Sequence, residues 1–175
     1  MILMGTGHRP DKLAGWRAGP NDSRTWQLRY AIRDYLREQR PDRVISGMAQ
    51  GFDLYLAFEA LNAGIPLTAA QPTRDHGANW PADSIAKASL GRVLSRAKEI
   101  VSVGGGKSFA ELGPAAYHAR NVWMLDHATH ILACWDGSAG GTSACLMSNK
   151  RRARPLPVVN IWHPGFAIED PDRQT

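Results

Sequence analysis

The sequence predicts an α/β fold: a single Rossmann-like domain with a mostly parallel sheet and helices on both faces. Short apolar runs alternate with longer amphipathic stretches along the chain, and polar, glycine-bearing turns follow several of the runs. No internal repeat or long linker divides the 175 residues, of which 43% are hydrophobic, enough for one sizeable core. The domain is placed at residues 1–162 and a polar C-terminal tail at 163–175.

Residues 1–4 are apolar and read as a strand that opens into the polar loop Gly5-Thr6-Gly7-His8-Arg9-Pro10 and on through residue 22. Ser23 is placed to cap a helix over residues 24–39, where Trp26, Leu28, Ala31, Ile32, Tyr35 and Leu36 supply an apolar stripe. A second strand at 43–46 leads into Gly47-Met48-Ala49-Gln50-Gly51-Phe52-Asp53. A helix then runs to about residue 62, closed by Gly64. Residues 66–70 form a third strand, 71–81 a loop, and Pro81 starts a helix to about residue 97.

The fourth strand, at 99–103, precedes Gly104-Gly105-Gly106-Lys107-Ser108. That run is not a P-loop, because Val101 stands where the motif needs its first glycine. It reads as a flexible loop. Residues 114–126 are helical. The apolar run Ile131-Leu132-Ala133-Cys134-Trp135 has the length of a buried parallel strand. It breaks into Asp136-Gly137-Ser138-Ala139-Gly140-Gly141-Thr142-Ser143, and a helix starts at Thr142. Residues 158–162 are the last strand.

The turn at 136–143 is the organising feature. Glycines without Cβ let backbone N–H groups converge on an anion, and a helix N-terminus adds partial positive charge. Parallel sheets bind ligands beyond the carboxyl ends of their strands, and three glycine loops fall there: those after the first, second and fifth strands. Together they describe an anion-lined crevice. Its phosphate-binding candidates are Gly7, His8, Arg9, Ser46, Gly47, Gly51, Gly137, Ser138, Gly140, Gly141 and Thr142.

Composition narrows the partners. A net charge of +5, from 21 Lys+Arg against 16 Asp+Glu, permits an anionic ligand but is a modest excess for a dedicated nucleic-acid binder. The one compact basic run, Lys150-Arg151-Arg152-Ala153-Arg154, sits where cations favour a helix C-terminus. Cys134 and Cys145 belong to no CxxC pair, and His118, His127 and His130 have no metal-ligand spacing, so no metal site or cofactor is expected. The absence of a membrane-length apolar run and of a signal-type N-terminus makes the expected location cytoplasmic, with no membrane partner.

Gly7-His8-Arg9-Pro10, Ser46-Gly47-Met48-Ala49-Gln50-Gly51-Phe52-Asp53, Arg120-Asn121-Val122-Trp123-Met124 and Trp135-Asp136-Gly137-Ser138-Ala139-Gly140-Gly141-Thr142 together resemble the SLOG superfamily. That superfamily joins the SMF/DprA DNA-processing proteins with the "lonely guy" (LOG) cytokinin-activating enzymes, and the YpsA-like branch is the nearest. The resemblance runs from about Gly5 to Asn160 and implies a Rossmann-like fold with a nucleotide-type ligand.

LOG enzymes hydrolyse the N-glycosidic bond of a nucleoside monophosphate. Arg120 and Met124 match their Arg-x-x-x-Met helix, and Gly140-Gly141-Thr142 matches part of their Pro-Gly-Gly-x-Gly-Thr-x-x-Glu turn. Cys145 stands where the catalytic glutamate would be, so a LOG-type reaction here needs Asp53, Asp126 or Asp136 in its place. The resemblance makes Arg120, Asp136 and Asp53 the catalytic candidates.

Each has a structural alternative: Asp53 as a helix-start residue, Arg120 as a surface charge, Asp136 as a turn residue, and His8 with Arg9 as ties for the first loop. Trp80 and Trp123 are core residues or base-stacking platforms. The functional expectation is a protein that binds a nucleotide or nucleotide-derived small molecule as a sensor or sequestering protein, with a homo-oligomer open. The alternatives are a LOG-type phosphoribohydrolase and a single-stranded DNA-binding protein.

Overall fold

The computed structural model describes residues 1–10, 12–13 and 23–166. Six strands form one parallel sheet: β1 (Ile2–Gly7), β2 (Arg43–Ser46), β3 (Leu67–Gln71), β4 (Glu99–Ser102), β5 (His130–Cys134) and β6 (Val158–Asn160). Their spatial order is β4-β3-β2-β1-β5-β6. The chain therefore builds outward from β1 to β4, crosses back, and continues on the other side of β1. The reversal leaves a crevice between the carboxyl ends of β1 and β5, the switch point at which such sheets bind ligands.

Alternation along the strands divides the core in two. Leu3, Val44, Ala69, Leu132 and Cys134 face one layer, packed under α1 (Ser23–Gln39), α2 (Phe52–Asn62) and α3 (Ile85–Leu94). Met4, Ile45, Ala70 and Ile131 face the other, under α5 (Ala115–His127) and α6 (Gly141–Lys150), which contribute Met124, Leu125 and Cys145. Parallel strands covered on both faces bury their whole length, hence the near-continuous apolar runs in the sequence. Between α1 and α2 the fully buried Glu59 carboxylate accepts from Arg29 at 2.7 Å and Arg33 at 3.0 Å, a paired charge inside an apolar contact.

Several boundaries differ from the sequence expectation. Gly5, Thr6 and Gly7 are not loop but the second half of β1, paired with Leu132, Ala133 and Cys134. Their glycines serve helix packing: a Cβ on Gly5 would lie 2.2 Å from Leu56 and one on Gly7 2.4 Å from Phe52, both on α2. α3 starts at Ile85 rather than Pro81, because the Ser84 side chain accepts from the Lys87 N–H at 3.2 Å and caps it there. A short helix, α4 (Phe109–Leu112), was not foreseen, although the Glu111 carboxylate accepting from the Ser108 N–H at 2.7 Å gives its start a capping-box signature. β6 ends at Asn160, and Trp162 turns onto the first core layer with Phe166 of the 3₁₀ turn Pro164–Phe166. Of the expected tail, residues 167–175 lie outside the described residues, as does most of the expected loop at 11–22.

Candidate functional site

A cavity of about 220 Å³ opens at the carboxyl ends of β1 and β5. One wall is the turn Ser138-Ala139-Gly140-Gly141-Thr142 leading into α6; the opposite wall is the face of α5 carrying Tyr117, Arg120 and Asn121. Those three positions, spaced i, i+3 and i+4, share one side of a helix. The end of β1 (Gly5, Thr6, Gly7), His8, Arg9, Lys12, Ala49 and Asp53 complete the lining.

The α6 end is open to a ligand by construction. Its N-cap is Gly140, at φ +151°, which has no side chain to accept from the first-turn N–H groups. Those N–H groups have no intrahelical partner, so they and the helix dipole are left facing the cavity. A Cβ added at Gly141 would meet nothing within 4 Å. Lys12 reaches the same turn, donating to the Ser138 hydroxyl and, at 3.5 Å, to the Ala139 carbonyl.

Arg120 is buried, and its placement depends on a second glycine. Its Nη1 donates to the Gly47 carbonyl and lies 3.6 Å from the Asp53 carboxylate, also buried. A Cβ on Gly47 would come within 1.7 Å of Nη1, so only glycine leaves room for the guanidinium. Arg120 Nε is buried without a hydrogen-bond partner among the described residues. Burial raises the Asp53 pKa to about 6, against the lowering effect of Arg120, the Ala49 N–H and Arg9. Burial likewise lowers that of Arg120, which Asp53 opposes.

The candidates drawn from the sequence separate into three groups. Gly7, His8, Arg9, Asp53, Arg120, Ser138, Gly140, Gly141 and Thr142 line the cavity. Ser46, Gly47 and Gly51 lie beneath it: Ser46 donates to the Asp53 carbonyl at 2.8 Å and accepts from the Met48 N–H at 3.2 Å, and Gly51, at φ +91°, is the N-cap of α2. Asp136 and Gly137 shape the turn from outside. The Asp136 carboxylate accepts from the Ser138 N–H at 2.8 Å and sits 2.8 Å from His8 Nε2. Desolvation works to raise its pKa, but the Ser138 hydrogen bonds and His8 together hold it at about 2.

Lys12, Tyr117 and Asn121 were missed in the sequence. Tyr117 and Asn121 were findable from helical spacing around Arg120; Lys12 carried no signal beyond lying three residues after Arg9. Cys145 is buried and does not line the cavity. Burial pushes its thiol up to about 11. Of the two tryptophans considered for stacking, Trp123 packs against the second core layer. Trp80 stands T-shaped to His76, centroids 5.4 Å apart, at a smaller cavity next to the first.

No cluster of three or more His, Cys, Asp or Glu suited to a metal exists among the described residues. No described helix is long and apolar enough to cross a membrane.

No family model matches the chain. It is 29% identical over 155 residues to an uncharacterised SPbeta prophage-derived protein, YoqJ, of Bacillus subtilis (strain 168), covering 82% of this chain and 89% of that protein. Its fold is similar to DNA processing protein A (DprA) of Streptococcus pneumoniae, with a TM-score of 0.61 at 15% identity over 94% of this chain. It also resembles DprA of Helicobacter pylori, whose structure concerns single-stranded DNA binding, with a TM-score of 0.55 at 13% identity over 90% of this chain. The chain spans about half (52%) of the Streptococcus protein and 64% of the Helicobacter one. These likenesses establish the fold: the single parallel α/β sheet of the Rossmann-like type expected from the SLOG resemblance.

Proposed function

We propose that this chain is a SLOG-type protein of the YpsA-like branch that binds a nucleotide or nucleotide-derived small molecule, with a phosphate at the N-terminus of α6. The observation that carries the reading is the uncapped first turn of α6 facing Arg120, Lys12 and Arg9 across one cavity at the switch point. Backbone donors at a helix start and a buried guanidinium are the groups that hold phosphate oxygens. Binding without turnover, as in a sensor or sequestering protein, needs nothing more.

Thermal-shift screening against mono-, di- and cyclic nucleotides tests it. A ligand at 100 times its dissociation constant stabilises the fold by about 2.7 kcal/mol. Gly141→Val places a branched side chain where a Cβ meets nothing in the protein. This variant should remain folded and lose the ligand response. An unchanged response in the folded variant would remove α6 as the phosphate site.

The fold of DprA keeps single-stranded DNA as a second reading. The basic run of this chain, however, starts at Lys150, ten residues and about 15 Å along α6 from the turn. Arg152 is moreover paired with Asp126 at 2.7 Å. A DNA strand using both ends would bind with steep salt dependence. Tight, salt-sensitive binding of a 20-mer that weakens on neutralising Lys150, Arg151 and Arg152 would favour this reading.

A further inference from the structure

The sheet ends on one side at β6, and the backbone pairing shows which groups that edge presents. In a parallel ladder, alternate residues of a strand turn both backbone groups towards the same neighbour. The Ile131 N–H donates to the Pro157 carbonyl and the Ile161 N–H to the Ala133 carbonyl, each at 2.9 Å. With Val158 beside Ile131 and Asn160 beside Ala133, residues 157, 159 and 161 face β5. Residues 156, 158 and 160 therefore face away from the sheet.

At Leu156 the outward groups are taken up by α6. The Leu156 N–H donates to Asn149 Oδ1 at 2.9 Å, and its carbonyl accepts from Asn149 Nδ2 at 3.0 Å. At Val158 and Asn160 the outward N–H and carbonyl have no partner among the described residues. The side chains there are apolar and exposed: Val158 and Val159, on opposite faces of the strand, are 44% and 43% exposed. An edge strand with unpaired backbone groups is a template for another strand.

The charge along this margin is of one sign. Between residues 137 and 168 the sequence holds no Asp or Glu, but it holds Lys150, Arg151, Arg152 and Arg154. Arg152 is paired with Asp126. Lys150, Arg151 and Arg154 are exposed and form no ion pair among the described residues. A second copy of the chain would bring the same cations to the margin and no acid to meet them. A DNA strand would meet the cations, but its backbone offers only acceptors to the outward carbonyls of Val158 and Asn160. A peptide offers donors and acceptors alternately, and acidic side chains would complete the match.

We infer that β6 and the cations before it form a docking edge for an extended acidic segment of another protein, added as a seventh strand. Strand addition draws its affinity from main-chain hydrogen bonds and its selectivity from the flanking side chains. Antiparallel pairing, the more stable kind, places residues C-terminal to the paired segment at the Arg154 end of β6. The partner's acidic side chains belong there. No residue of β6 lines the cavity at the start of α6, and the inference does not depend on the phosphate reading.

Fluorescence anisotropy with the full chain tests this, using a labelled ten-residue peptide that alternates Val and Thr and ends in three Glu. The peptide should bind saturably. The same peptide ending in three Lys should bind at least about tenfold more weakly, the worth of two or three exposed ion pairs. N-methylation at every Val and Thr removes the peptide's donors and should abolish binding. Val158→Pro removes one outward N–H, a change that an edge strand tolerates, and should weaken binding about tenfold in a folded protein. Arg151→Glu with Arg154→Glu should weaken the Glu peptide and favour the Lys peptide.

No binding of the Glu peptide, or equal binding of the Glu and Lys peptides, would overturn the inference. So would undiminished binding of the N-methylated peptide, or of the Glu peptide to folded Val158→Pro, since the cations alone would then be the site. A dimer in sedimentation that Val158→Pro dissociates would give the edge to a second copy instead. Tighter binding of a single-stranded 20-mer at the same cations would give it to nucleic acid.

Discussion

Gly47→Ala removes no contact, yet the structure makes it one of the most damaging single-atom additions in the chain. The new Cβ would stand 1.7 Å from Arg120 Nη1, 2.5 Å from its Cζ and 2.8 Å from the Asp53 carboxylate. Arg120 must then leave, taking its bond to the Gly47 carbonyl and its 3.6 Å pairing with Asp53. Breaking a buried ion pair costs about 3–5 kcal/mol, because the remaining charge is left uncompensated. For a domain of this size each kcal/mol lowers the melting temperature by roughly 2–4 °C.

The diagnostic assay is a double-mutant cycle by chemical denaturation, using Gly47→Ala, Arg120→Ala and the pair. With the guanidinium gone, adding the Cβ should cost only about 1–2 kcal/mol, a coupling of roughly 2–3 kcal/mol. A Gly47→Ala penalty that is undiminished in the Arg120→Ala background would refute the claim that Gly47 exists to admit Arg120.

Two further expectations follow from the same cluster. Asp53 is an acid whose folded pKa, about 6, lies above its ordinary 3.8, so its contribution to stability is full below 3.8 and is lost as pH rises through about 6. The difference in unfolding free energy between the protein and Asp53→Asn, followed from pH 3.5 to 7.5, should shift across that window by up to roughly 3 kcal/mol; a flat difference would disprove it. Incubation with AMP, GMP, CMP and dTMP, followed by chromatography for free base and ribose 5-phosphate, should show no turnover near the ordinary enzyme range of about 1–10³ s⁻¹. Turnover in that range would reassign the site to catalysis.

What could be read from the chain differs from element to element for physical reasons. β2 and the C-terminal end of α2 were placed where they are observed, because an apolar run, a glycine turn and an amphipathic stretch each carry a local signal, while α2 begins at Phe52, inside the expected turn. Gly5 and Gly7 were misread as loop because a glycine that yields space to another element looks, in sequence, like a glycine that turns the chain. Only the distances to Leu56 and Phe52 tell them apart. The same ambiguity holds at Gly47, a phosphate-cradle candidate in the sequence that lies outside the cavity lining and where a Cβ would meet Arg120. Of the smaller cavity beside the main one, the sequence offered Arg9 and Trp80 singly but not their meeting. His76 and Trp80 share the loop after β3, but Tyr117 lies on α5 and Arg9 after β1, and only the fold brings the three segments to one cavity.

The distribution of acidic groups bears on the proposed choice between holding a nucleotide and cleaving it. Glycosidic cleavage needs a carboxylate free to stabilise an oxocarbenium-like centre or to activate water. Among the described residues lining the main cavity, Asp53 is the one carboxyl, and it is buried against Arg120 with the Ala49 N–H at 3.4 Å. Asp136 is committed to Ser138 and His8 and lies outside the lining. Asp126 is paired with Arg152 on the outer side of α5. At the position of the LOG glutamate stands Cys145, a buried thiol with its pKa near 11 that supplies no negative charge at neutral pH. The groups we propose to hold a phosphate line the cavity, while the described carboxylates that would act on the bond beside it are buried, paired or replaced. A cleft arranged this way would stabilise a bound ground state without a matching gain at the transition state, which is the reason binding without turnover is the function we propose.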